Sequence, residues 1–234
     1  MTDRSTILRE MGLTPIWALR SATPQPTEIV AEAATQIEQP RLPDPNRDTT
    51  IAAMSWDELT ISIAHCTACT LSKTRTKTVP GAGDRAPAWM VIGGAPDEDE
   101  DKQGAPFVAD AGQLLDAMLA AVGKKRTQGA FITNVIKCHP PGNRSPESAE
   151  IAACAPYLQR QIALASPKLL LAAGECAAQT LLIRDDTLGA LRAAGGALSG
   201  IPVVVTYHPS HLLRSPLEKS NAWDDLMKAR ALVA

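Results

Sequence analysis

The groups in this 234-residue chain best suited to chemistry are five cysteines, four histidines and a few polar residues that follow apolar runs. Cys66 and Cys69 form a C-x2-C pair, Cys138 follows an apolar run, and Cys154 lies on the next helical segment. The chain opens MTDRSTILRE, which lacks the pattern of a secretory leader, so four such thiols read as metal ligands rather than disulfides. Their spacing suits either a structural zinc or an iron–sulfur cluster. Cys176, beside Ala177 and Ala178, reads as a small buried apolar residue. His65 and His139 each adjoin a candidate ligand and read as neighbours that shield the site. His208 follows an apolar run directly and is the histidine placed for chemistry.

These groups need a scaffold. Short apolar runs at Trp89–Ile92, Phe131–Val135, Leu169–Ala173 and Val203–Tyr207 have strand length, and the segments between them have helical periodicity. Helices are expected over Gly112–Val122, from about Pro146 to Ala165 with Ser145 as N-cap, over Glu175–Leu182, and around Asn221–Val233. A further helix is expected to start near Ser55. This β-α alternation predicts an α/β fold, a three-layer α/β/α sandwich with a mostly parallel four-stranded central sheet. Ligands of such sheets bind beyond the carboxyl ends of the strands. Three polar motifs fall there: Gly93-Gly94-Ala95-Pro96-Asp97, Asn134 with the later Pro140-Pro141-Gly142-Asn143-Arg144, and His208-Pro209-Ser210.

Composition excludes several functions. Hydrophobic residues make up 45% and charged residues 21%, and no apolar run approaches the ~20 residues that span a bilayer, so a cytoplasmic protein without a membrane partner is expected. Residues 1–50 carry 5 basic and 7 acidic groups, leaving 18 of each in the remainder. With no basic excess and only 3% aromatic residues, DNA binding is expected to be weak. Three regions follow: a partner-binding peptide at 1–20, a flexible linker at 21–50 with Pro24, Pro26, Pro40, Pro43 and Pro45, and a folded domain at 51–234.

The runs GGAPDEDEDKQGAPFVADAGQLLD (93–116), TNVIKCHPPGNRSP (133–146), IAACAPYL (151–158) and YHPSHLLR (207–214) together resemble the family 4 uracil-DNA glycosylases. The resemblance implies a uracil-DNA glycosylase-like fold and a structural [4Fe–4S] cluster on Cys66, Cys69, Cys138 and Cys154. It implies that Phe107 stacks on a flipped uracil, that Asn134 reads the base edge, and that His208 stabilises the departing uracil anion. Where the family's first motif reads Gly-Glu-Ala-Pro-Gly, this chain has Gly94 for the carboxylate and Asp97 for the last glycine. Efficient catalysis is therefore not expected. Gly94, Asp97, Asn143 and His208 are read as a vestigial site, or as the catalytic set if activity survives, with Asp97 or Glu100 supplying the missing charge.

The stretch RSTILREMGLTPIWALR (4–20) resembles the N-terminal peptide of the psi subunit of bacterial DNA polymerase III, through Leu8, Met11-Gly12, Ile16, Trp17 and Leu19-Arg20. That resemblance implies docking on the tau/gamma subunits of the clamp loader, with a chi subunit on the core leading to single-strand-binding protein. The expected function is a psi-type subunit on an inactive glycosylase-like fold. The alternative is an active family 4-type uracil-DNA glycosylase in base excision repair.

Overall fold

The structure, a computed structural model, describes residues 45–233. The expected partner-binding peptide and residues 21–44 of the expected linker lie outside the described residues. The linker's last residues do not: Pro45–Ala53 forms helix α1, and Ile51 is 2% exposed. Ile51 packs with Leu59, Ile63 and Tyr157 into a small apolar cluster that also touches Cys66 and Cys154. The linker as expected thus runs too far. Composition sees the prolines but not the single buried isoleucine that anchors this turn of chain.

Next come α2 (Trp56–Ala64), β1 (Ala82–Gly83), β2 (Trp89–Gly93), α3 (Glu98–Gln103), α4 (Ala109–Ala121), β3 (Ala130–Asn134) and α5 (Ser148–Ala165). The chain closes with β4 (Leu169–Ala173), α6 (Glu175–Leu182), α7 (Leu188–Ala194), β5 (Gly196–Leu198), β6 (Ile201–Thr206), α8 (Pro209–Arg214) and α9 (Lys219–Ala231). The sheet has six strands in the order β1-β3-β2-β4-β6-β5. Its four central strands are parallel, as expected. The two edges, β1 and β5, are antiparallel additions of two and three residues that are too short and too glycine-rich to show a pattern.

The central strands are apolar on both sides and divide by period two. Met90, Ile92, Leu170, Ala172, Val203 and Val205 join one core with helices α5, α6 and α7, whereas Trp89, Val91, Ile132, Leu169, Leu171 and Val204 join the other with α4 and α9. Two buried faces produce the three layers. No helix among the described residues is long and apolar enough to cross a membrane.

Helix starts follow local chemistry. Ser55 caps α2 in a reciprocal capping box with Glu58. Helix α5 starts later than Ser145-Pro146 suggests, at Ser148, because Glu147 and Glu150 form the box and Arg144 pairs with the buried Glu150 at 2.6 Å. The acidic run Asp97–Asp101 is no solvated turn: Asp97 and Glu100 cap a short helix on which Glu100 and Asp101 are buried.

Because Ile51 is sealed into the cluster bordering the cysteines, Ile51→Ala is expected to lower unfolding free energy by about 2–5 kcal/mol, measured by urea titration. A change under about 0.5 kcal/mol, the range of ordinary surface substitutions, would show that α1 is not part of the core.

Candidate functional site

Parallel pairing sets Gly93, at the end of β2, opposite Asn134, at the end of β3. Val135 N then donates to Gly93 O at 2.8 Å and Ile136 N to Gly94 O at 3.2 Å, which carries the pairing past the strand ends. A Cβ on Gly93 would come within 2.3 Å of Asn134 Oδ1 and 2.8 Å of Phe107 Cζ. The missing side chain is what lets Asn134 and Phe107 share this floor. Asn134 is 1% exposed, its Nδ2 donates to Glu100 Oε2 at 3.1 Å, and its Oδ1 has no partner among the described residues. A buried amide oxygen left unpaired costs about 1–3 kcal/mol, so this one is an acceptor waiting for a donor.

Glu100 does more than hold Asn134. Its Oε1 accepts a very short bond from Phe107 N, and its Oε2 accepts from Asp97 N at 3.2 Å. Phe107 itself has a left-handed backbone, φ 51°, followed by Ala109 at 49°. Arg126 braces that strained segment, donating to Pro106 O at 2.9 Å, Phe107 O at 2.6 Å and Gly112 O at 3.2 Å. A Cβ at Gly112 would strike Phe107 O at 2.1 Å, so α4 reaches this carbonyl only through glycine.

His208 ends the same edge from β6. Its Nδ1 accepts from Ser210 N at 3.2 Å and contacts Ser210 Oγ at 2.7 Å, which leaves the proton of the neutral ring on Nε2. Burial pushes its pKa down to about 4, and the charge of nearby Asp97 opposes this only in part. The imidazole lies against Phe107 with centroids 5.0 Å apart and planes inclined by 26°. One face of Phe107 is therefore taken, and a base could stack there only after the imidazole withdraws, or else on the other face.

The remaining candidate residues are distributed unevenly. A Cβ on Gly94 would stand 3.0 Å from Cys176 Cβ and 3.2 Å from its Sγ, so the half-buried Cys176 occupies the ground beside the missing carboxylate. Asp97 Oδ1 accepts from Glu100 N at 2.9 Å, capping α3 while its charge acts on His208. Asn143 is exposed on the Pro141–Asn143 turn, where its Oδ1 meets His139 Nε2 at 2.8 Å; its recorded partner is thus His139, not a pocket residue. His65 is exposed and bonds back to Ile61 O.

The four candidate ligands border a common cavity. Cys66, Cys69, Cys138 and Cys154 line one small, partly open cavity with Arg75, Lys137 and Tyr157, and all four are free thiols. No group of three or more His, Cys, Asp or Glu side chains among the described residues is gathered as for a single ion. Burial raises the Cys69 and Cys138 thiols and pushes Cys154 up to about 12. Cations surround the cavity: Arg75 Nη1 donates to Cys138 Sγ at 3.1 Å, Arg47 Nη2 reaches Cys66 Sγ at 3.9 Å, and the ammonium of buried Lys137 acts on Cys154 and Cys138. Four soft donors about one cavity, ringed by positive charge, fit an anionic metal–thiolate centre.

Lys137, Arg126 and the packing of Cys176 on Gly94 escaped sequence reasoning. Only Lys137 left a trace, as a lysine directly before a candidate ligand. The capping role of Asp97 and Glu100 was also visible as a D-x-x-E box.

A mostly parallel α/β sheet thus carries an amide, an aromatic ring and a neutral imidazole at its carboxyl edge, beside a four-thiol cavity. Residues 80–227 match the Uracil DNA glycosylase superfamily, and the chain belongs to that superfamily. It is 39% identical over 181 residues to a type-4 uracil-DNA glycosylase of Pyrobaculum aerophilum, covering 74% of this chain and 92% of that protein. Type-4 uracil-DNA glycosylases of Archaeoglobus fulgidus (35% over 182 residues; 74% and 91% covered) and Thermotoga maritima (35% over 176 residues; 73% and 91%) are similar.

Two buried groups of this site titrate in opposite senses. His208 is depressed from 6.5 to about 4, so its contribution to stability is lost as pH falls through that interval. Glu100 is raised from 4.5 to about 7, chiefly by burial, so its contribution is lost as pH rises through that interval. Urea titrations between pH 4.5 and 6.5 should find the two opposed: His208→Asn makes stability fall with rising pH, and Glu100→Gln makes it rise. Variant profiles parallel to wild type would contradict this assignment.

Proposed function

We propose that this chain recognises uracil in DNA and cleaves its N-glycosidic bond. The observation that carries the reading is the unpartnered, buried Asn134 Oδ1. Uracil presents an N3–H to such an acceptor, whereas cytosine presents a lone pair, and a site built for a hydrogen bond strongly rejects the partner lacking it. The nucleotide must leave the duplex to reach this edge, as other base-modifying enzymes require. As the C1′–N1 bond breaks, its electron pair moves to the base and positive charge builds on the sugar, which water then captures at C1′. His208, neutral because burial holds its pKa near 4, aims its Nε2 proton at the developing oxyanion without carrying a charge that water would compete for. Asp97, near His208, supplies the negative charge that position 94 lacks.

Cys66, Cys69, Cys138 and Cys154 would hold a [4Fe–4S] cluster. A polynuclear centre suits thiols arranged around a cavity better than a lone ion does. When bound, it contributes a cross-link between the end of α2, the exit of β3 and helix α5. The cations Arg47, Arg75 and Lys137 balance its charge.

A second reading is favoured by one observation, the packing of Cys176 on Gly94 where a carboxylate is missing. In it the pocket does not cleave, and the chain is a psi-type clamp-loader subunit that binds tau/gamma through residues 4–20 and chi through the core. The relatives support the glycosylase reading rather than this one.

Single-turnover release of uracil from a synthetic oligonucleotide, with iron-loaded protein in excess, separates the two. The glycosylase reading predicts release, slowed roughly 10²–10³-fold in His208→Ala. Gly94→Glu alone should be hampered by Cys176, and Gly94→Glu with Cys176→Ala should release uracil faster than wild type. Absence of release from folded, iron-loaded wild type, together with co-purification of clamp-loader subunits, would establish the second reading.

A further inference from the structure

Lys137 is 1% exposed and takes no part in the reaction proposed above. Its Nζ donates to Thr133 Oγ1 at 2.7 Å and to the main-chain oxygen of Asn134 at 2.5 Å. Lys137 also lines the cavity of the four cysteines, and its charge interacts with Cys154 and Cys138. Thr133 Oγ1 in turn donates to Pro80 O at 3.1 Å and contacts Gln161 Oε1 at 3.2 Å, so this side of the ammonium is bound into a fixed network. One cation therefore stands between the peptide that presents Asn134 and the thiols Cys138 and Cys154.

A buried ammonium is tolerated when opposite charge lies close, and is costly when its neighbours are neutral. Ligated thiolates supply that charge, and free buried thiols do not. What holds Lys137 in place thus depends on what fills the cysteine cavity, and by reciprocity the placement of Lys137 affects how well the cavity is filled.

We propose that Lys137 is a positioning residue that couples occupancy of the cysteine site to the setting of Asn134, so that emptying the site loosens base reading while the sheet stays folded. The inference rests on the uracil-reading role given to Asn134 and on the cluster assigned to the cysteines. It adds a sensitivity to cluster loss, and hence to oxidants that dismantle such clusters, carried by a residue that touches neither DNA nor the reacting atoms.

Hydrogen exchange followed by mass spectrometry over residues 130–138 tests the coupling without reference to activity. Wild type is compared iron-loaded and after removal of the metal with a chelator, next to Lys137→Met and Lys137→Arg, each assayed for iron and acid-labile sulfide. Relative affinity for oligonucleotides carrying a single uracil or a single cytosine is measured on the same samples. Emptying the wild-type site should speed exchange in this segment and lower the preference for uracil, each by about tenfold, the scale of one lost charged hydrogen bond. Iron-loaded Lys137→Met should reproduce both effects, and Lys137→Arg should retain most of the wild-type behaviour. Iron-loaded Lys137→Met with wild-type exchange and preference would overturn the proposal. Should Lys137→Met take up no iron, the wild-type comparison decides, and unchanged exchange after metal removal overturns the proposal. Exchange that responds in a protein with no uracil preference in any state would instead refute the uracil reading and leave the coupling standing.

Discussion

One buried carboxylate organises the pocket. Glu100 accepts from Asp97 N, Phe107 N and Asn134 Nδ2, so the first strand exit, the strained aromatic segment and the buried amide of Asn134 are held by a single side chain. Burial raises its pKa to about 7 despite those three donors. The orientation of Asn134 depends on it: with the amide nitrogen committed to Glu100, the amide oxygen is the atom left buried without a partner. Phe107 can hold φ 51° because Glu100 secures its N–H and Arg126 its carbonyl. The strain is therefore supported from both sides of one residue.

A second electrostatic balance operates behind the sheet edge. The cysteine cavity combines thiols at Cys69, Cys138 and Cys154 that burial pushes toward the protonated form with cations that favour thiolate, an arrangement that the proposed cluster would resolve. Its position links three segments distant in sequence, the end of α2, the exit of β3 and the middle of α5. Ile51, Leu59, Ile63 and Tyr157 close its apolar side. Asn134 and Cys138 are only four residues apart, which is why the ammonium of Lys137 can bond the main chain of Asn134 while its charge acts on Cys138 and Cys154.

Much of this was legible in the chain, for identifiable reasons. The four parallel strands are short apolar runs buried on both faces, and such runs stand out from the helical segments around them. The four cysteines that border one cavity were legible from thiol type and spacing, and Asn134, Phe107 and His208 from their motifs. The edges β1 and β5 were not, since two or three residues carry no period. Helix α1 was hidden because its first residues have the polar, proline-containing composition of a linker, and only Ile51 reveals its burial. The burial of Glu100 and Asp101 within the acidic run from Asp97 to Asp101 was not legible, because local charge gives no sign that two of its carboxylates turn inward to accept backbone N–H groups. The packing of Cys176 beside Gly94 joins residues 82 positions apart, which no local pattern encodes.

In the proposed function, base reading and bond cleavage rest on different residues: Asn134, held by Glu100, would determine which base is accepted, and His208 and Asp97 would determine what happens to it. The account's central claim is the first of these. It is tested most directly by the affinity of iron-loaded protein for an oligonucleotide carrying one 2′-fluoro-2′-deoxyuridine, whose glycosidic bond resists cleavage, against the same strand carrying cytosine. The account predicts a preference for uracil of at least about tenfold, abolished in Asn134→Ala. Equal affinity for the two strands would contradict it.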